Sequence, residues 1–287
     1  MTAPARILVI AGSDSSGGAG IQADIKTITM LGGYAMTAIT AVTAQNTLGV
    51  HAVEVLSPDM VMAQIDACLE DIGVDAVKIG MLGSADIAGV VADRLETLAV
   101  PIVFDPVMVA TSGSALADAE TINAFGKLMR IAALTTPNLP ELEALSGLDP
   151  TLGETAMADA SERLMETSGA RAILAKGGHW PGGIVVNSRG ERTPTDQLVF
   201  DCLYTLSSEG YWAEWTFDHP RIDTRHTHGT GCTLASAIAT LLGKGVALEE
   251  AIAEAREFVR QALLNAPGFG AGSGPLGHHA VQPQGKS

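Results

Sequence analysis

The stretch HTHGTGCTLAS at residues 226–236 combines residue types that could hold and transfer an anionic group. Gly229, Thr230 and Gly231 predict a loop, and the apolar residues that follow Cys232 recur at helical spacing. A helix that begins here would direct free backbone N–H groups and the positive end of its dipole at a phosphoryl group. The same field would lower the pKa of the Cys232 thiol. The alternative is a small-residue turn that packs a helix against a sheet around a buried cysteine.

A second glycine-rich loop, GSDSSGGAG at residues 12–20, lies between a predicted strand and a predicted helix. We expect it to close over a small polar ligand at the carboxyl end of the strand, with Asp24 one turn into the helix. Gln45 follows the next strand, and its amide offers a donor and an acceptor that suit the edge of an aminopyrimidine or a pyridine. Alternatively, Asp24 caps the helix or is solvated, and Gln45 bonds to local backbone in a turn.

Polar residues also follow three later strands. Asp105 ends its strand, at the edge where open α/β sheets bind ligands. Asn138 and Glu141 are three residues apart on one face of a starting helix, and they could hold Mg²⁺ directly or through water. With Pro140 in the first turn, these residues could also serve only as a helix start. Lys176 follows a buried strand and could face phosphate; the alternative is a solvated lysine in a turn.

The elements that would position these residues alternate between apolar, β-branched runs and helical patterns, which predicts a parallel sheet covered by helices on both faces. Between residues 183 and 219 three short strand-like runs predict an antiparallel addition at one sheet edge. The predicted strands are residues 7–11, 36–42, 76–79, 101–104, 132–135, 172–175, 184–186, 198–204 and 212–217. The predicted helices are residues 21–31, 59–72, 84–98, 118–130, 154–168 and 248–264, with others starting near residues 140 and 232.

The composition is that of a well-buried globular enzyme: 47% of the 287 residues are hydrophobic and 17% are charged. A formal net charge of −15 argues against nucleic acid or an anionic membrane as a partner. Three cysteines without paired spacing indicate a reducing compartment, and no apolar run approaches the roughly 20 residues of a membrane span. We therefore expect a cytoplasmic protein with a single domain over residues 1–287 and a mobile tail from about residue 280.

Segments spread over nearly the whole chain, in the same order, resemble the hydroxymethylpyrimidine/phosphomethylpyrimidine kinases of thiamine biosynthesis, a family of the ribokinase-like superfamily. They are AGSDSSGGAGIQADIK (11–26), AVTAQNTLG (41–49), KIGML (78–82), FDPVMVATSG (104–113), TPNLPEL (136–142), KGGH (176–179) and THGTGCTLAS (227–236). Many ribokinase relatives carry Asp at the end of the Gly-x-Gly loop. The pyrimidine kinases resemble this chain in carrying Cys there, which favours the narrower family.

The resemblance implies a three-layer αβα sandwich with a mostly parallel central sheet and a small antiparallel edge addition. It implies use of ATP with Mg²⁺, and phosphorylation of a hydroxymethyl group on an aminopyrimidine and then of the resulting monophosphate. Cys232 would accept the hydroxyl proton, and residues 229–232 would hold the transferring group. The implied substrate contacts are Gln45, Asp24, Gly12, Ala19, Met81 and Val107; the phosphate contacts are Lys176, Asn138 and Asp105; and the metal ligands are Glu141, Asn138 and Asp105.

Two features depart from the family pattern. Thr111 stands in the predicted flap at residues 106–113, where family members often have a lysine. Residues 199–219 are longer and more aromatic than in compact members, and we expect them to alter a sheet edge or the surface of a homodimer.

Two other functions stay open. A pyridoxal or pyridoxine kinase of the same fold would use the same amide and thiol. A dinucleotide-dependent oxidoreductase would use Gly18-x-Gly20-x-x-Ala23, a loose match to the dinucleotide fingerprint. Against it, Gln45 and Asn46 stand where an acidic ribose ligand would end the second strand.

Overall fold

A nine-stranded sheet runs through the computed structural model, which describes residues 3–110, 113, 116–152, 155–179, 184–186, 192–194, 197–206 and 212–281. The strands are β1 (Arg6–Asp14), β2 (Tyr34–Asn46), β3 (Gly49–Val55), β4 (Ala76–Ile79), β5 (Ile102–Phe104), β6 (Leu134–Thr135), β7 (Ala172–Lys176), β8 (Ile184–Val186), β9 (Arg192–Pro194), β10 (Leu198–Leu206) and β11 (Trp212–Pro220). Their order in the sheet is β11-β10-β7-β6-β5-β4-β1-β2-β3, and β8 and β9 pair only with each other.

Six neighbouring strands, from β7 to β2 in this order, are parallel, so their carboxyl ends meet at one edge of the sheet. Antiparallel strands flank them at both ends, with β10 and β11 beyond β7 and β3 beyond β2. The predicted α/β class is confirmed, and the runs at residues 198–204 and 212–217 form the predicted antiparallel addition. The run at residues 184–186 was expected in the same addition, but it pairs only with β9, outside the nine-stranded sheet. Strand β3 was not predicted, because residues 51–55 are all exposed on an edge strand and carry no continuous apolar run.

The helices cover both faces of the sheet, which confirms the three-layer prediction. They are α1 (Gly20–Met30), α2 (Pro58–Asp71), α3 (Ala85–Leu95), α4 (Ala119–Ile131), α5 (Leu139–Ser146), α6 (Ala156–Ser168), α7 (Thr230–Gly243) and α8 (Leu248–Leu264). Helices α2 to α6 bury their apolar stripes in one hydrophobic cluster, and α1, α7 and α8 do so in another on the opposite face. Because both faces are covered, the inner strands are apolar on both sides, and residues 7–11 of β1 are all buried.

Side chains cap the starts of helices α2 to α5. Ser84 Oγ accepts a hydrogen bond from the backbone N–H of Ile87 at 3.3 Å, and Asp118 accepts one from Thr121 at 2.8 Å. Helices α1, α6, α7 and α8 have no side-chain cap, and the residue before α7 is Gly229, which has no side chain to offer.

Three expectations fall wholly or partly outside the described residues: the flap at residues 106–113, the segment 199–219 and the tail from about residue 280. In and next to the flap, Thr111 and residues 112, 114 and 115 are not described. Residues 207–211 separate β10 from β11, and residues 282–287 hold most of the predicted mobile tail. Among the helices that the structure describes, none has the length and apolarity needed to cross a membrane.

Candidate active site

A cavity of about 800 Å³ opens at the carboxyl ends of the parallel strands. With the exception of Asp24, every residue predicted for the site lines it, although these residues come from strands, loops and helix starts throughout the chain. They are Gly12, Ala19, Gln45, Met81, Asp105, Val107, Asn138, Glu141, Lys176, Gly229, Thr230, Gly231 and Cys232. The sheet topology explains why these residues meet, because each of their segments ends a parallel strand, follows one, or begins a helix packed beside the sheet.

Helix α7 begins at the wall of this cavity. Its N-cap Gly229 has a φ of +88°, and a Cβ atom there would lie 1.9 Å from the carbonyl oxygen of Gly18. Glycine is therefore required both for the left-handed turn and for the close approach of the two glycine-rich loops. The first turn of α7 contains no acidic residue, and no side chain caps it. The positive end of the helix dipole is thus left for an external anion such as a phosphoryl group.

Cys232, in the first turn of α7, lines the cavity and is half-buried. Burial raises the pKa of its thiol to about 11; Lys78 opposes this shift, whereas the carboxylates of Asp24 and Asp105 add to it. The expected lowering of this pKa is therefore wrong. The helix dipole acts on the thiol, but desolvation and two acidic neighbours outweigh it.

Asp24 does not line the cavity, so its predicted substrate contact is replaced by a contact with another side chain. Its carboxylate is fully buried behind the wall, 3.0 and 3.1 Å from Lys78 Nζ, and it also accepts a hydrogen bond of 2.7 Å from Ser236 Oγ. Lys78 lines the cavity instead. The prediction overlooked Lys78, although a lysine within the otherwise apolar strand AVKI indicates a buried, paired charge.

Asp105 and Lys176 form an ion pair that lines the cavity, with Asp105 buried and Lys176 partly exposed. Lys176 Nζ lies 2.8 Å from Asp105 Oδ1, which also accepts a hydrogen bond of 2.9 Å from Thr136 Oγ1. Burial alone would raise the pKa of Asp105, but Lys176 and Lys78 outweigh it and lower that pKa. A Cβ atom on Gly231 would lie 3.4 Å from both Lys176 Nζ and Asp105 Oδ2, so the pair sits directly before the start of α7. It can offer a cation to an anion held there.

Asn138 and Glu141 begin helix α5 as a reciprocal capping box. Asn138 Oδ1 accepts from the Glu141 backbone at 2.9 Å, and Glu141 Oε2 accepts from the Asn138 backbone at 2.8 Å. The helix-start interpretation is thereby confirmed for both residues. Burial raises the pKa of Glu141 to about 7, an effect that nearby Lys176 opposes and Asp105 reinforces.

The oxygen ligands predicted for Mg²⁺ only partly fit a metal site. Asp105 Oδ1, Asn138 Oδ1 and Glu141 Oε2 each already accept a hydrogen bond from a protein group. Within the described ranges, no group of three or more His, Cys, Asp or Glu side chains is arranged to hold a metal ion. A magnesium ion would therefore need phosphate and water oxygens in addition to a protein carboxylate such as Glu141, which is its usual environment beside nucleotides.

The Gln45 amide lies in a polar corner that the sequence did not predict. Its oxygen is 3.3 Å from Thr43 Oγ1, and its nitrogen is 3.2 Å from His228 Nε2. His228 is buried and also lies 2.8 Å from Asp14 Oδ2. Asp14 and His228 are 214 positions apart in the chain, so no local pattern could have paired them.

The cavity also extends to the antiparallel edge, which gives it a second arm. Residues of β10, β11 and α8 line this arm, among them Asp201, His219 and Arg256. Arg256 Nε donates to Asp201 Oδ2 at 2.7 Å, and this buried pair joins α8 to β10. The arm was missed because strands beyond Lys176 were expected to form an edge and not a wall of the site. It provides room for a second ligand next to the first.

Known proteins resemble this chain over nearly its whole length. The sequence model of the family described as phosphomethylpyrimidine kinase matches residues 14–277. A hydroxymethylpyrimidine/phosphomethylpyrimidine kinase of Bacillus subtilis is 42% identical over 96% of this chain and 96% of its own length. A thiamine biosynthesis bifunctional protein of Geobacter sulfurreducens is 43% identical over 95% of this chain, which spans 52% of that longer protein. The solved pyridoxal kinase of Staphylococcus aureus, in complex with AMP-PCP and pyridoxal, has a TM-score of 0.81 at 31% identity, with 97% of this chain and 95% of that chain covered.

Proposed function

The chain belongs to the phosphomethylpyrimidine kinase family, and from that premise we propose how its cavity performs the reaction. The reaction transfers the γ-phosphoryl group of ATP to 4-amino-5-hydroxymethyl-2-methylpyrimidine and then to the monophosphate, a sequence of thiamine biosynthesis. One observation carries the assignment of residues. The uncapped start of α7, with Cys232 in its first turn, opens into the same cavity as the Gln45 amide. A phosphoryl group and a heterocyclic ring can therefore be held next to each other.

Transfer to a hydroxyl depends on positioning and on neutralising charge, because the protein need form no covalent bond itself. The backbone N–H groups at the start of α7 would hold the transferring group, and Lys176 would face its oxygens. The lysine is preorganised for this role, since Asp105 holds its ammonium group at 2.8 Å. The second arm of the cavity would take the rest of the nucleotide.

Cys232 is the proposed base for the substrate hydroxyl. A thiol of raised pKa is seldom ionised at neutral pH, so the thiolate must be favoured by its surroundings. Lys78 is the cation that opposes the rise in the pKa of this thiol, and the buried Asp24 carboxylate holds Lys78 Nζ at 3.0 Å. Lys78 would thus favour the thiolate, and the role of Asp24 would be to hold Lys78 in position.

Magnesium, when bound with the nucleotide, would neutralise negative charge on the phosphate oxygens. Glu141 is the residue proposed to hold it, with Asn138 and Asp105 acting through water. Glu141 is suited to this role because a bound cation would oppose the burial that raises its pKa.

Purified protein should be assayed for ADP release with the hydroxymethylpyrimidine and, side by side, with pyridoxal. We expect a higher kcat/KM for the pyrimidine. The fold that this chain shares with the pyridoxal kinase makes pyridoxal the second candidate substrate. A kcat/KM that is higher for pyridoxal would overturn the preference for the pyrimidine.

A cytoplasmic location and a homodimer belong to the same proposal. The outer edge strand β3 exposes Val53 and Val55, which a second copy of the chain could cover. Cell fractionation and light scattering coupled to size-exclusion chromatography would test the two points.

A further inference from the structure

Four polar side chains meet at the corner of the cavity that contains Gln45. His228 Nε2 lies 2.8 Å from Asp14 Oδ2 and 3.2 Å from Gln45 Nε2, while Gln45 Oε1 lies 3.3 Å from Thr43 Oγ1. Asp14, Thr43 and His228 are buried. The corner also joins the two glycine-rich loops, since a Cβ atom on Gly18 would lie 2.4 Å from His228 Cδ2.

The charge of Asp14 fixes where the proton of His228 lies. Burial raises the pKa of Asp14, but hydrogen bonds from His228, Ser16 and Ala19 outweigh it and lower the pKa to about 2. Asp14 is therefore a carboxylate that only accepts hydrogen bonds, and a partner at 2.8 Å must be a donor. His228 accordingly carries a proton on Nε2, whether the ring is neutral or charged.

The hydroxyl of Thr43 fixes the other side of the Gln45 amide. Thr43 Oγ1 lies 3.0 Å from the carbonyl oxygen of Ser13, which can only accept, so the single hydroxyl proton is used there. The lone pairs of Thr43 Oγ1 then face Gln45 and require a donor. With the amide nitrogen toward His228, two donors oppose each other at 3.2 Å. A rotation of the carboxamide by 180° removes both conflicts, because the nitrogen then donates to Thr43 and the oxygen faces the single Nε2–H of His228, which it shares with Asp14 as the longer branch of a three-centre hydrogen bond.

We propose that Asp14 and His228 are positioning residues that hold the Gln45 carboxamide with its oxygen toward His228 and its nitrogen toward Thr43. The site then selects a ring that presents an amino group beside an unprotonated ring nitrogen. This inference rests on the proposed function, since it takes Gln45 to face the substrate ring.

The direction of the substrate follows from the reaction. The hydroxymethyl group must point to the start of α7, and His228 directly precedes its N-cap Gly229. In the aminopyrimidine, the amino group neighbours the hydroxymethyl carbon, and the ring nitrogen comes next. The amino group would donate to the Gln45 oxygen, and the ring nitrogen would accept from the Gln45 nitrogen. Pyridoxal carries an accepting aldehyde oxygen in the place of the amino group and a donating hydroxyl in the place of that nitrogen. The order of donor and acceptor along this edge is therefore reversed.

The test compares kcat/KM for the hydroxymethylpyrimidine with kcat/KM for pyridoxal in the parent, His228→Leu and His228→Gln. Glutamine is the matched control, because its side-chain N–H can reach Asp14 from the position of Nε2. We expect the ratio of the two values to fall by about tenfold or more in His228→Leu and to stay within about twofold in His228→Gln. A purely structural role would lower both values together and leave the ratio unchanged, which would overturn the proposal.

Gln45→Leu separates this proposal from the function on which it rests. If Gln45→Leu leaves the kcat/KM of the pyrimidine unchanged, Gln45 does not face the ring, and the inference is overturned together with that role. If Gln45→Leu loses activity while His228→Leu keeps the parental ratio, the role of Gln45 stands and the inference alone is overturned.

A measurement on the parent protein does not depend on the folding of any variant or on turnover of pyridoxal. Neutron diffraction of deuterium-exchanged crystals locates the hydrogen atoms of both side chains. The proposal requires a deuteron on His228 Nε2 and the Gln45 amide deuterons on the side of Thr43. Amide deuterons on the side of His228 would overturn it.

Discussion

Replacement of Cys232 by alanine or aspartate tests the proposed base through the pH dependence of the rate. Because the thiol has a pKa of about 11, about one molecule in 10⁴ is ionised at pH 7. If the thiolate accepts the hydroxyl proton, kcat/KM for the pyrimidine should rise by about tenfold per pH unit between about pH 7 and 9. Cys232→Asp should remove this slope, because a carboxylate is already ionised there. Cys232→Ala should lose about 10²- to 10⁴-fold in kcat, the usual contribution of a general base.

The assay is steady-state ADP release at saturating MgATP across that pH range, with KM for ATP measured for each variant. Cys202→Ala is the matched control. Cys202 is also buried with a pKa raised to about 11, but it lies in β10 and does not line the cavity. It should keep the parental slope. A folded Cys232→Ala variant with parental kcat, or a parental profile that is flat over this range, would refute the base and leave only the N–H groups of α7.

Three other substitutions test the remaining parts of the site. Gln45→Leu leaves ring polar groups unpaired and should cost about 2–4 kcal/mol in kcat/KM for the pyrimidine; an unchanged value would remove Gln45 from the substrate contacts. Glu141→Gln keeps the capping box, so thermal stability should stay near parental while the Mg²⁺ concentration for half-maximal rate rises; overlapping Mg²⁺ titrations would leave Glu141 as a helix start only. Lys78→Met leaves the buried Asp24 carboxylate without its cation and should lower the free energy of unfolding, measured in urea, by about 3–5 kcal/mol. Lys127→Met, which breaks an exposed ion pair, should cost less than about 1 kcal/mol, and equal losses in these two variants would contradict the assigned burial.

The sequence predicted the positions of the site residues better than their chemistry. The glycine spacing before Cys232 and the apolar run after it correctly placed that thiol at a helix start, since both signals are local. The predicted pKa of the thiol was wrong because it depends on burial in the folded protein and on Asp24 and Asp105, which are distant in the sequence. Lys78 was overlooked for a related reason, since only its partner across the fold makes a charge tolerable inside a buried strand.

The parallel strands in the middle of the sheet were predicted correctly, and the errors in strand prediction concentrate at the sheet edges. Inner strands such as β1 carry continuous apolar runs, which local patterns detect. Edge strand β3 carries no such run, because most of its side chains face solvent. The pair Asp14–His228 could not be predicted from local patterns either, since its two residues are 214 positions apart in the sequence.

The account as a whole is tested most directly by following the product with ³¹P NMR while the protein acts on hydroxymethylpyrimidine and MgATP. We expect the signal of a phosphomonoester to appear first and then to be replaced by the two coupled signals of a diphosphate ester, with ADP formed at each step. Formation of no phosphorylated pyrimidine, by a folded protein that phosphorylates pyridoxal under the same conditions, would contradict the account.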